Sequence, residues 1–501
     1  MRKHSWFTAA IPLSMTALLL SGCLGGSSSS SSSSSPGGPD ELTRAHDERV
    51  FVPVESEIAA LPDMPTSRYS GIYEGLQGDA VYAVEVPEGW DGGTLVMYTH
   101  GYAGEGEELP LSVPNEAWRR VVLGFGYAWA ASSYSANYYD ARAGLEDTNK
   151  LALEAVNYIL RDYGEQYNQP DRFLISGFSM GGHIAAAAID RENRERTQFK
   201  VDYAGAAPFC QSEQNQFQWL GDYPRVMMEL SGYGNEDYSR FQELVGEYQN
   251  FGGANILVRP GPIVDALFNQ DGLGMPDWTS PKGVEGERLM AIAENLSGGE
   301  RPIFEYGFAG PLQSIVLGTG GSSGDINGIL ALNGYGNQDQ VYRWSTGPIT
   351  PEEQEFNDNI ARVTADEDAN PLRDDGVRWI PLVNGEFDVP VVTMHTLGDF
   401  YVPFRHQQLY RERAQEHGND HLLVQRAIRA PGHCDFAANE VVEAMRDWLV
   451  WVNFGIKPQG DEVLDPEVVA DPDYGCAFTR DFLPVENPVS REPLPDCSAV
   501  L

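Results

Sequence analysis

Short apolar segments alternate with amphipathic segments along most of the chain. Runs rich in Val, Tyr, Leu and Ala, bounded by turn residues, predict strands at 79–86, 93–99, 128–134, 173–176, 201–207, 389–394 and 422–428. Apolar residues at helical spacing predict helices at 145–162 and 182–190, and a last apolar stripe predicts a helix that ends at Gly455. Strands interleaved with helices indicate an α/β domain with a mostly parallel central sheet and helices on both faces.

The pattern weakens between residues 211 and 388, a segment rich in Gly, Asn, Gln and aromatic residues. Because a structureless loop of this length is implausible in a compact domain, we predict a folded insertion with helices at 225–247 and 286–296. The flanking segments make residues 46–460 one domain that contains the insertion. Residues 461–501, rich in Pro and Asp, form a C-terminal tail.

The N-terminus has the pattern of an export signal. A basic start, a short apolar stretch and a small-residue cleavage zone predict a signal peptide over residues 1–22. The tetrapeptide L-S-G-C that ends at Cys23 resembles a bacterial lipobox, which implies lipid attachment at Cys23, and the serine-rich stretch 23–45 predicts a flexible tether. We expect an exported protein that is lipid-anchored to the cell envelope or extracellular. Leu24, rather than Asp, follows the cysteine, which resembles the signal for sorting to the outer membrane. The alternative to a lipoprotein is an ordinary secretory signal in which the cysteine is incidental.

Composition and charge narrow the choice of partners. The chain has 501 residues, with 34 basic and 73 acidic side chains and a net charge of −39. Its hydrophobic and charged fractions are those of a globular protein. Binding to nucleic acid needs clusters of Lys and Arg, and this chain has few lysines and no basic run, so we expect no nucleic-acid partner. The acidic, lysine-poor composition indicates a saline habitat.

Cysteine usage fits an oxidising compartment. Apart from Cys23, the chain has four cysteines, which allow three pairings: Cys210, Cys434, Cys476 and Cys497. A local Cys476–Cys497 bridge would close the tail and leave Cys210–Cys434 as a long-range link.

The segment 177–181, G-F-S-M-G, follows a predicted strand and opens a predicted helix. In that context the pattern G-x-S-x-G is typical of a strained strand-to-helix turn that projects a serine hydroxyl. The glycines are expected because larger side chains would collide with the neighbouring strand and helix. We therefore predict that Ser179 is a nucleophile; the alternative is a glycine-rich turn with an incidental serine.

Such a serine needs an acid and then a histidine further along the chain. Asp399 and His433 each follow a predicted strand, and α/β sheets place their sites at the carboxyl ends of strands. We predict that His433 takes the serine proton and that Asp399 fixes the histidine tautomer. Asp388 and Asp435 are the alternatives for the acid. The other histidines considered are expected to be structural or solvent-facing: His183, His395, His406, His417 and His421.

A tetrahedral intermediate also needs backbone N–H donors. We predict one donor at Met180, directly after the nucleophile. The second is predicted at Tyr102, with Ala103 as the alternative, because the loop 99–104 follows the early strand 93–99. A plain glycine-containing turn is the other interpretation of this loop.

Four motifs in this order, strand-His-Gly-x, G-x-S-x-G-G, Gly-Asp-x-x-Val-Pro and Gly-His-Cys, resemble the α/β-hydrolase superfamily. The resemblance covers about residues 79–455 and places the insertion where these enzymes carry a lid or cap. Within the superfamily the chain resembles bacterial exported esterase- or lipase-like hydrolases. The resemblance therefore implies a carboxylic ester hydrolase with a Ser-His-Asp triad and an acyl-enzyme intermediate.

One departure concerns the cysteines. Tannase and feruloyl-esterase relatives have a cysteine just before the nucleophile, bonded to the one after the histidine. This chain has Phe178 at the first position and keeps Cys434 at the second. A Cys210–Cys434 bridge would do a similar job of holding the histidine loop.

Three other functions stay open. They are a serine peptidase of the prolyl-oligopeptidase or aminopeptidase type, an extracellular polyester depolymerase, and a non-catalytic surface binding protein on the same scaffold. The sequence has no H-E-x-x-H and no Walker A motif, and the Gly-rich run 318–324 and the acidic stretches 366–368 and 374–375 match no ligand pattern, so we expect no metal and no cofactor. The expected partner is a small or polymeric ester, with an apolar or aromatic group selected by the insertion. No pattern in the sequence predicts an oligomeric state.

The net charge predicts that the melting temperature rises with added salt, because salt screens self-repulsion. Thermal unfolding of the chain without residues 1–40, from low to molar NaCl, measures this. A melting temperature that falls steadily over that range would contradict the saline interpretation.

Overall fold

The computed structural model describes residues 50–480 except 105, 252–253, 311–333 and 368, together with 491, 494, 495 and 497. The predicted signal peptide, Cys23, the serine tether and the Gly-rich run 318–324 lie outside the described residues. Within the described part of the chain, no helix has the length and apolarity to cross a membrane. The same residues contain no group of His, Cys, Asp and Glu side chains arranged to hold a metal ion.

Eight strands form the central sheet: β1 (Thr66–Glu74), β2 (Asp79–Pro87), β3 (Thr94–Thr99), β4 (Ala128–Ser132), β5 (Arg172–Phe178), β6 (Tyr203–Phe209), β7 (Val391–Thr396) and β8 (Leu423–Ile428). Their order across the sheet is β1-β2-β4-β3-β5-β6-β7-β8. The pairs β1–β2 and β2–β4 are antiparallel, and the pairs from β4 to β8 are parallel. The prediction of a mostly parallel sheet is confirmed.

Helices cover both faces of this sheet, beginning with α1 (Glu116–Gly124), α2 (Ala141–Tyr163), α3 (Met180–Ile189) and α4 (Arg191–Arg196). Successive residues of a strand point to opposite faces. On β3, Leu95 and Met97 join the core with α2 and α3, whereas Val96 joins the core with α1. The strands β3, β4, β7 and β8 are buried on both faces, which explains why they read as continuous apolar runs, whereas the border strand β1 alternates between buried and exposed residues.

The insertion folds into helices and two hairpins. Its helices are α5 (Gln216–Leu230), α6 (Phe241–Val245), α7 (Pro262–Leu267), α8 (Gly283–Ser297), α9 (Phe304–Ala309) and α10 (Pro351–Asn359), with a 3₁₀ turn at Tyr238–Arg240. The hairpins pair Gly246–Phe251 with Ala254–Pro260, and Phe268–Gln270 with Pro276–Pro281. These elements share an apolar core of their own, distinct from the two cores of the sheet. The last part of the segment, from Val377 to Phe387, instead packs into the core with α2 and α3.

The helix predicted at 225–247 is wrong in its bounds. The helix α5 begins at Gln216 and ends at Leu230. Gly232 adopts φ 84° and the Tyr233 N–H donates to the Met228 carbonyl, so the chain turns out of the helix there. The helix predicted at 286–296 is confirmed by α8.

The C-terminal part adds α11 (Arg405–Glu416), α12 (Ala438–Phe454) and α13 (Pro466–Val469), with a 3₁₀ turn at Asp420–Leu422. Near the start of the chain, Val52–Val54 forms a short parallel pair with Glu108–Pro110. The helix α12 ends at Gly455 as predicted. The tail then runs beside β8. Asp461 donates its N–H to the Gln425 carbonyl and accepts the Ala427 N–H on its carboxylate, both at 2.7 Å. A disulfide joins Cys476 to Cys497 within the tail.

Asp190, between α3 and α4, gives a prediction about stability and pH. Its carboxylate accepts the N–H groups of Asn384 and Glu386, and its burial raises its pKa to about 7. A carboxyl whose folded pKa lies above its unfolded value stabilises the fold fully only below the unfolded pKa, and this contribution is lost as the pH rises through about 7. Between about pH 5 and about pH 8, we therefore expect wild type to lose roughly 1–3 kcal/mol of unfolding free energy relative to Asp190→Asn.

Urea unfolding of both proteins across this pH range measures the difference. All other titrating groups are common to the two proteins and cancel in the comparison. A difference that does not change with pH would contradict the assignment of a raised pKa to Asp190.

Candidate active site

Ser179 occupies the turn between β5 and α3 with φ 61° and ψ −124°. Residues other than glycine rarely adopt this backbone conformation, and it persists only where the surroundings enforce it. Here the Ser179 N–H donates to the Phe209 carbonyl on β6 at 3.0 Å, and its carbonyl accepts the His183 N–H from α3. The turn therefore holds the hydroxyl at the carboxyl ends of the strands.

Gly177 and Gly181 make this turn sterically possible. A Cβ at Gly177 would lie 2.0 Å from Thr99 Oγ1, and a Cβ at Gly181 would lie 2.0 Å from the Thr99 carbonyl oxygen. Thr99 Oγ1 also donates to the Gly181 carbonyl at 2.7 Å. The predicted collision of larger side chains is thus confirmed, and the neighbouring strand concerned is β3.

The structure brings the three predicted side chains into one hydrogen-bonded row. His433 Nε2 lies 2.7 Å from Ser179 Oγ, and His433 Nδ1 lies 2.6 Å from Asp399 Oδ2. With its proton on Nδ1, the imidazole donates to the carboxylate and accepts the serine hydroxyl on Nε2. The three residues come from the ends of β5, β7 and β8, which the fold places at one edge of the sheet.

Asp399 is completely buried and its carboxylate is fully engaged. Its Oδ1 accepts the N–H groups of Tyr401 at 3.0 Å and Val402 at 2.9 Å. His395 Nε2 lies 3.8 Å from Oδ2, but it donates to the Val402 carbonyl, and burial lowers the pKa of His395 to about 4. His395 is therefore neutral near pH 7 and forms no ion pair with Asp399, whose Oδ2 accepts the hydrogen bond from His433.

The alternative acids lie elsewhere. Asp388 is on the surface, where it forms an ion pair with Arg194 at 2.9 Å. Asp435 Oδ1 lies 3.9 Å from Arg491 Nε in the C-terminal tail. Of the three candidate acids, Asp399 is the one placed against His433 Nδ1.

The loop predicted to supply a backbone donor passes close to the nucleophile. A Cβ at Gly101 would lie 3.2 Å from Ser179 Cβ and 3.7 Å from Ser179 Oγ, so this loop borders the hydroxyl directly. Tyr102 follows in the same loop, with its side chain partly exposed. Met180 is the first residue of α3, and an N–H in the first turn of a helix has no acceptor within that helix.

A disulfide joins Cys210, at the end of β6, to Cys434 in the loop after β8, with a Cα–Cα distance of 5.4 Å. Cys434 Sγ lies 3.5 Å from His433 Nε2. Together with the Cys476–Cys497 bridge, it is the pairing expected if a local bridge closes the C-terminal tail. The bridge therefore ties the histidine loop to the strand beside the nucleophile turn.

The nearby histidines are held by other contacts. His183 accepts from Tyr139 Oη on Nδ1 and donates from Nε2 to the Pro381 carbonyl at 2.7 Å. Burial lowers its pKa to about 4, so it is neutral and structural, as predicted. His100, in the loop before Gly101, stacks on Tyr134 with ring centroids 3.9 Å apart and helps to shape that loop.

Some residues at the site were not predicted from the sequence. The Tyr401 ring lies 5.7 Å from the His433 ring, and the N–H groups of Tyr401 and Val402 hold Asp399. The motif Gly-Asp-x-x-Val-Pro contains both, but it does not show that their backbone turns back onto the carboxylate. Side chains of the insertion also contact the loop that carries Asp399. No motif in the sequence predicts these contacts, because the partners are distant along the chain.

No protein-family model matches the chain. An o-phthalyl amidase from Xanthobacter agilis is 22% identical over 438 residues, which cover 76% of this chain and 87% of the amidase.

Three solved structures are also similar. Feruloyl esterase B from Aspergillus oryzae is 14% identical and aligns over 81% of this chain and 86% of its own, with a TM-score of 0.38. The esterase LipA from Xanthomonas oryzae is 14% identical over 77% of this chain and 89% of its own, with a TM-score of 0.34. An acylaminoacyl peptidase from Pyrococcus horikoshii is 9% identical over 80% of this chain and 44% of its own, also with a TM-score of 0.34.

These TM-scores are low, so we assign the fold from the connectivity of this chain itself. The strand order β1-β2-β4-β3-β5-β6-β7-β8 has a serine turn after β5, an acid after β7 and a histidine after β8. The chain has the α/β-hydrolase fold.

Proposed function

We propose that the chain is a serine hydrolase that cleaves carboxylic esters through an acyl-enzyme intermediate. The observation that carries the proposal is the pair of contacts from Ser179 Oγ to His433 Nε2, 2.7 Å, and from His433 Nδ1 to Asp399 Oδ2, 2.6 Å. A serine hydroxyl is a weak nucleophile by itself and becomes effective when an adjacent, oriented base accepts its proton.

The reaction follows from these positions. Ser179 Oγ attacks the ester carbonyl carbon while His433 Nε2 takes the hydroxyl proton, and Asp399 stabilises the resulting imidazolium. As the tetrahedral intermediate collapses, His433 returns the proton to the leaving alkoxide, and an acyl-serine remains. A water molecule then attacks the acyl carbon while His433 accepts its proton. As this second tetrahedral intermediate collapses, His433 returns the proton to Ser179 Oγ, and the carboxylic acid is released.

The developing oxyanion needs donors on the side away from His433. We propose the N–H groups of Met180 and Tyr102 for this role. The proximity of the Gly101 backbone to Ser179 supports the second donor, and the start of α3 supports the first because helix N-termini favour negative charge.

Hydrolysis of amides is the second candidate. The sequence relative is an amidase, and its similarity extends over 76% of this chain. The same groups would serve an amide, except that His433 would have to protonate a leaving amine. A polyester depolymerase and a non-catalytic binding role remain the further alternatives, and a wild type that is inactive in the substrate assay below would favour them.

The setting is also part of the proposal. The two disulfides indicate an oxidising environment. We propose that the protein is exported and that Cys23 carries a lipid anchor, so that the membrane contacts the protein through this lipid. The insertion, rich in aromatic residues, would select an apolar or aromatic group of a small or polymeric substrate.

Ser179→Ala is expected to lower ester hydrolysis by roughly a thousandfold or more, because the acyl-enzyme cannot form. Wild type and variant, both lacking residues 1–40, would be compared on p-nitrophenyl esters of rising chain length, on aminoacyl and prolyl anilides, and on a phthalyl amide. Circular dichroism of the variant provides the control for folding.

Ester turnover that disappears in the variant supports the main proposal. Turnover of amides or anilides without esters favours the second candidate. Wild-type turnover that survives in Ser179→Ala would contradict both, and a wild type inactive on all of these would favour a polymeric substrate or a binding role.

Asp399→Asn is expected to lower kcat by roughly a thousandfold or more, since the amide no longer holds the required imidazole tautomer or stabilises its charge. Asp388→Asn is the matched control, because Asp388 is an exposed aspartate that precedes β7 and pairs with Arg194, whereas Asp399 follows β7. Steady-state kinetics on the best ester measures both. Equal losses in the two variants would contradict the assignment of the acid.

A further inference from the structure

The loop that carries Asp399, residues 397–402, is here called the acid loop. Three side chains of the insertion donate hydrogen bonds to its carbonyl oxygens. Arg301 Nε donates to the Leu397 carbonyl at 2.8 Å, and Trp219 Nε1 donates to the Phe400 carbonyl at 2.9 Å. Gln216 Nε2 donates to the Tyr401 carbonyl. The insertion therefore contacts the acid loop on both sides of Asp399.

Packing fixes the same loop. Phe400, the residue after Asp399, is completely buried within the apolar core of the insertion. Its ring stacks on Tyr223 with centroids 5.5 Å apart and lies 5.6 Å from the Phe304 ring. At Gly307 on α9 a Cβ would lie 2.0 Å from the Gly398 carbonyl oxygen, so α9 lies directly against the loop. A side chain of the acid loop is thus part of the core of the insertion.

Arg301 adds charge to this contact. The side chain is buried, and its remaining donors bind the Gly299 carbonyl and Ser297 Oγ rather than a carboxylate. Burying a cation without a close anion is costly. Burial lowers the pKa of Arg301 to about 10, and the carboxylates of Glu294 and Asp399 oppose this shift, so Arg301 stays protonated near neutral pH. A positive charge of the insertion thus lies directly against the acid loop.

We propose that the insertion is a fixed positioning element for Asp399, with Trp219 and Arg301 as positioning residues for the Ser179–His433–Asp399 row. The inference rests on the proposed function, since it assigns a role in that same reaction. A movement of the insertion as a rigid lid would break these hydrogen bonds or carry Asp399 away from His433. Substrate therefore enters while α5, α8 and α9 stay in place.

Trp219→Phe tests the inference because it removes the N–H donor to Phe400 and keeps an aromatic ring. The matched control is Trp278→Phe, which replaces an equally buried indole, 6% exposed against 5%, in the same core. Trp278 packs on Phe268 in a hairpin of the insertion. Both variants shrink a buried aromatic side chain in the same core, so a general loss of packing in the insertion would affect them alike.

The measurement is the rate at which a fluorophosphonate labels Ser179, followed by intact mass and resolved into kinact and KI. This probe needs no knowledge of the substrate. For Trp219→Phe we expect kinact to fall roughly three- to tenfold, the range for one lost hydrogen bond, with KI unchanged. Gln216→Leu should act in the same direction, and Trp278→Phe should keep the wild-type kinact. On the best ester the same split is expected, with kcat reduced and KM unchanged.

The outcomes separate the two proposals. If wild type is labelled at Ser179 and Trp219→Phe has the wild-type kinact, or if Trp278→Phe loses as much as Trp219→Phe, the positioning role is overturned and the proposed function stands. If wild type is not labelled at Ser179, the proposed function fails, and the positioning role fails with it.

Discussion

The close approach of β3 to the turn after β5 is the constraint on which the rest of the site depends. Thr99 leaves no room for a side chain at Gly177 or Gly181, and in return it binds the Gly181 carbonyl. Ser179 is held in its unusual backbone conformation because β3 and β6 contact the turn from both sides. The same approach brings the loop after β3 against the hydroxyl. The positions of the nucleophile and of the candidate oxyanion donors therefore depend on the same packing contact between β3 and this turn.

Around this turn the other two groups are attached in different ways. His433 lies on a loop that a covalent bridge from Cys210 ties to the strand beside the nucleophile. Asp399 lies on a loop whose carbonyl oxygens and Phe400 side chain are held by the insertion. The row of three side chains thus depends on the sheet, on a disulfide and on the apolar core of the insertion. A site assembled in this way has little freedom to change its geometry.

Local patterns made much of the site predictable. The serine turn is encoded within five residues, and Asp399 and His433 were selected because each directly follows a strand that reads as an apolar run. The contacts of Trp219 and Arg301 with the acid loop were not predictable, because about 180 and 100 residues separate the partners and neither side chain belongs to a motif. The helix expected at 225–247 failed for a local reason, because the backbone turns out of the helix at Gly232 and the next α-helix begins only at Phe241.

The tail beside β8 has a consequence for association between molecules. The outermost strand of a sheet exposes N–H and carbonyl groups that can pair with another chain. On β8 the Gln425 carbonyl and the Ala427 N–H are bound by Asp461, and just after β8 the Arg429 N–H donates to Thr479 Oγ1 at 2.9 Å. No regular strand is added, yet this border of the sheet is closed to a further strand. At this border the tail protects the protein against edge-to-edge aggregation.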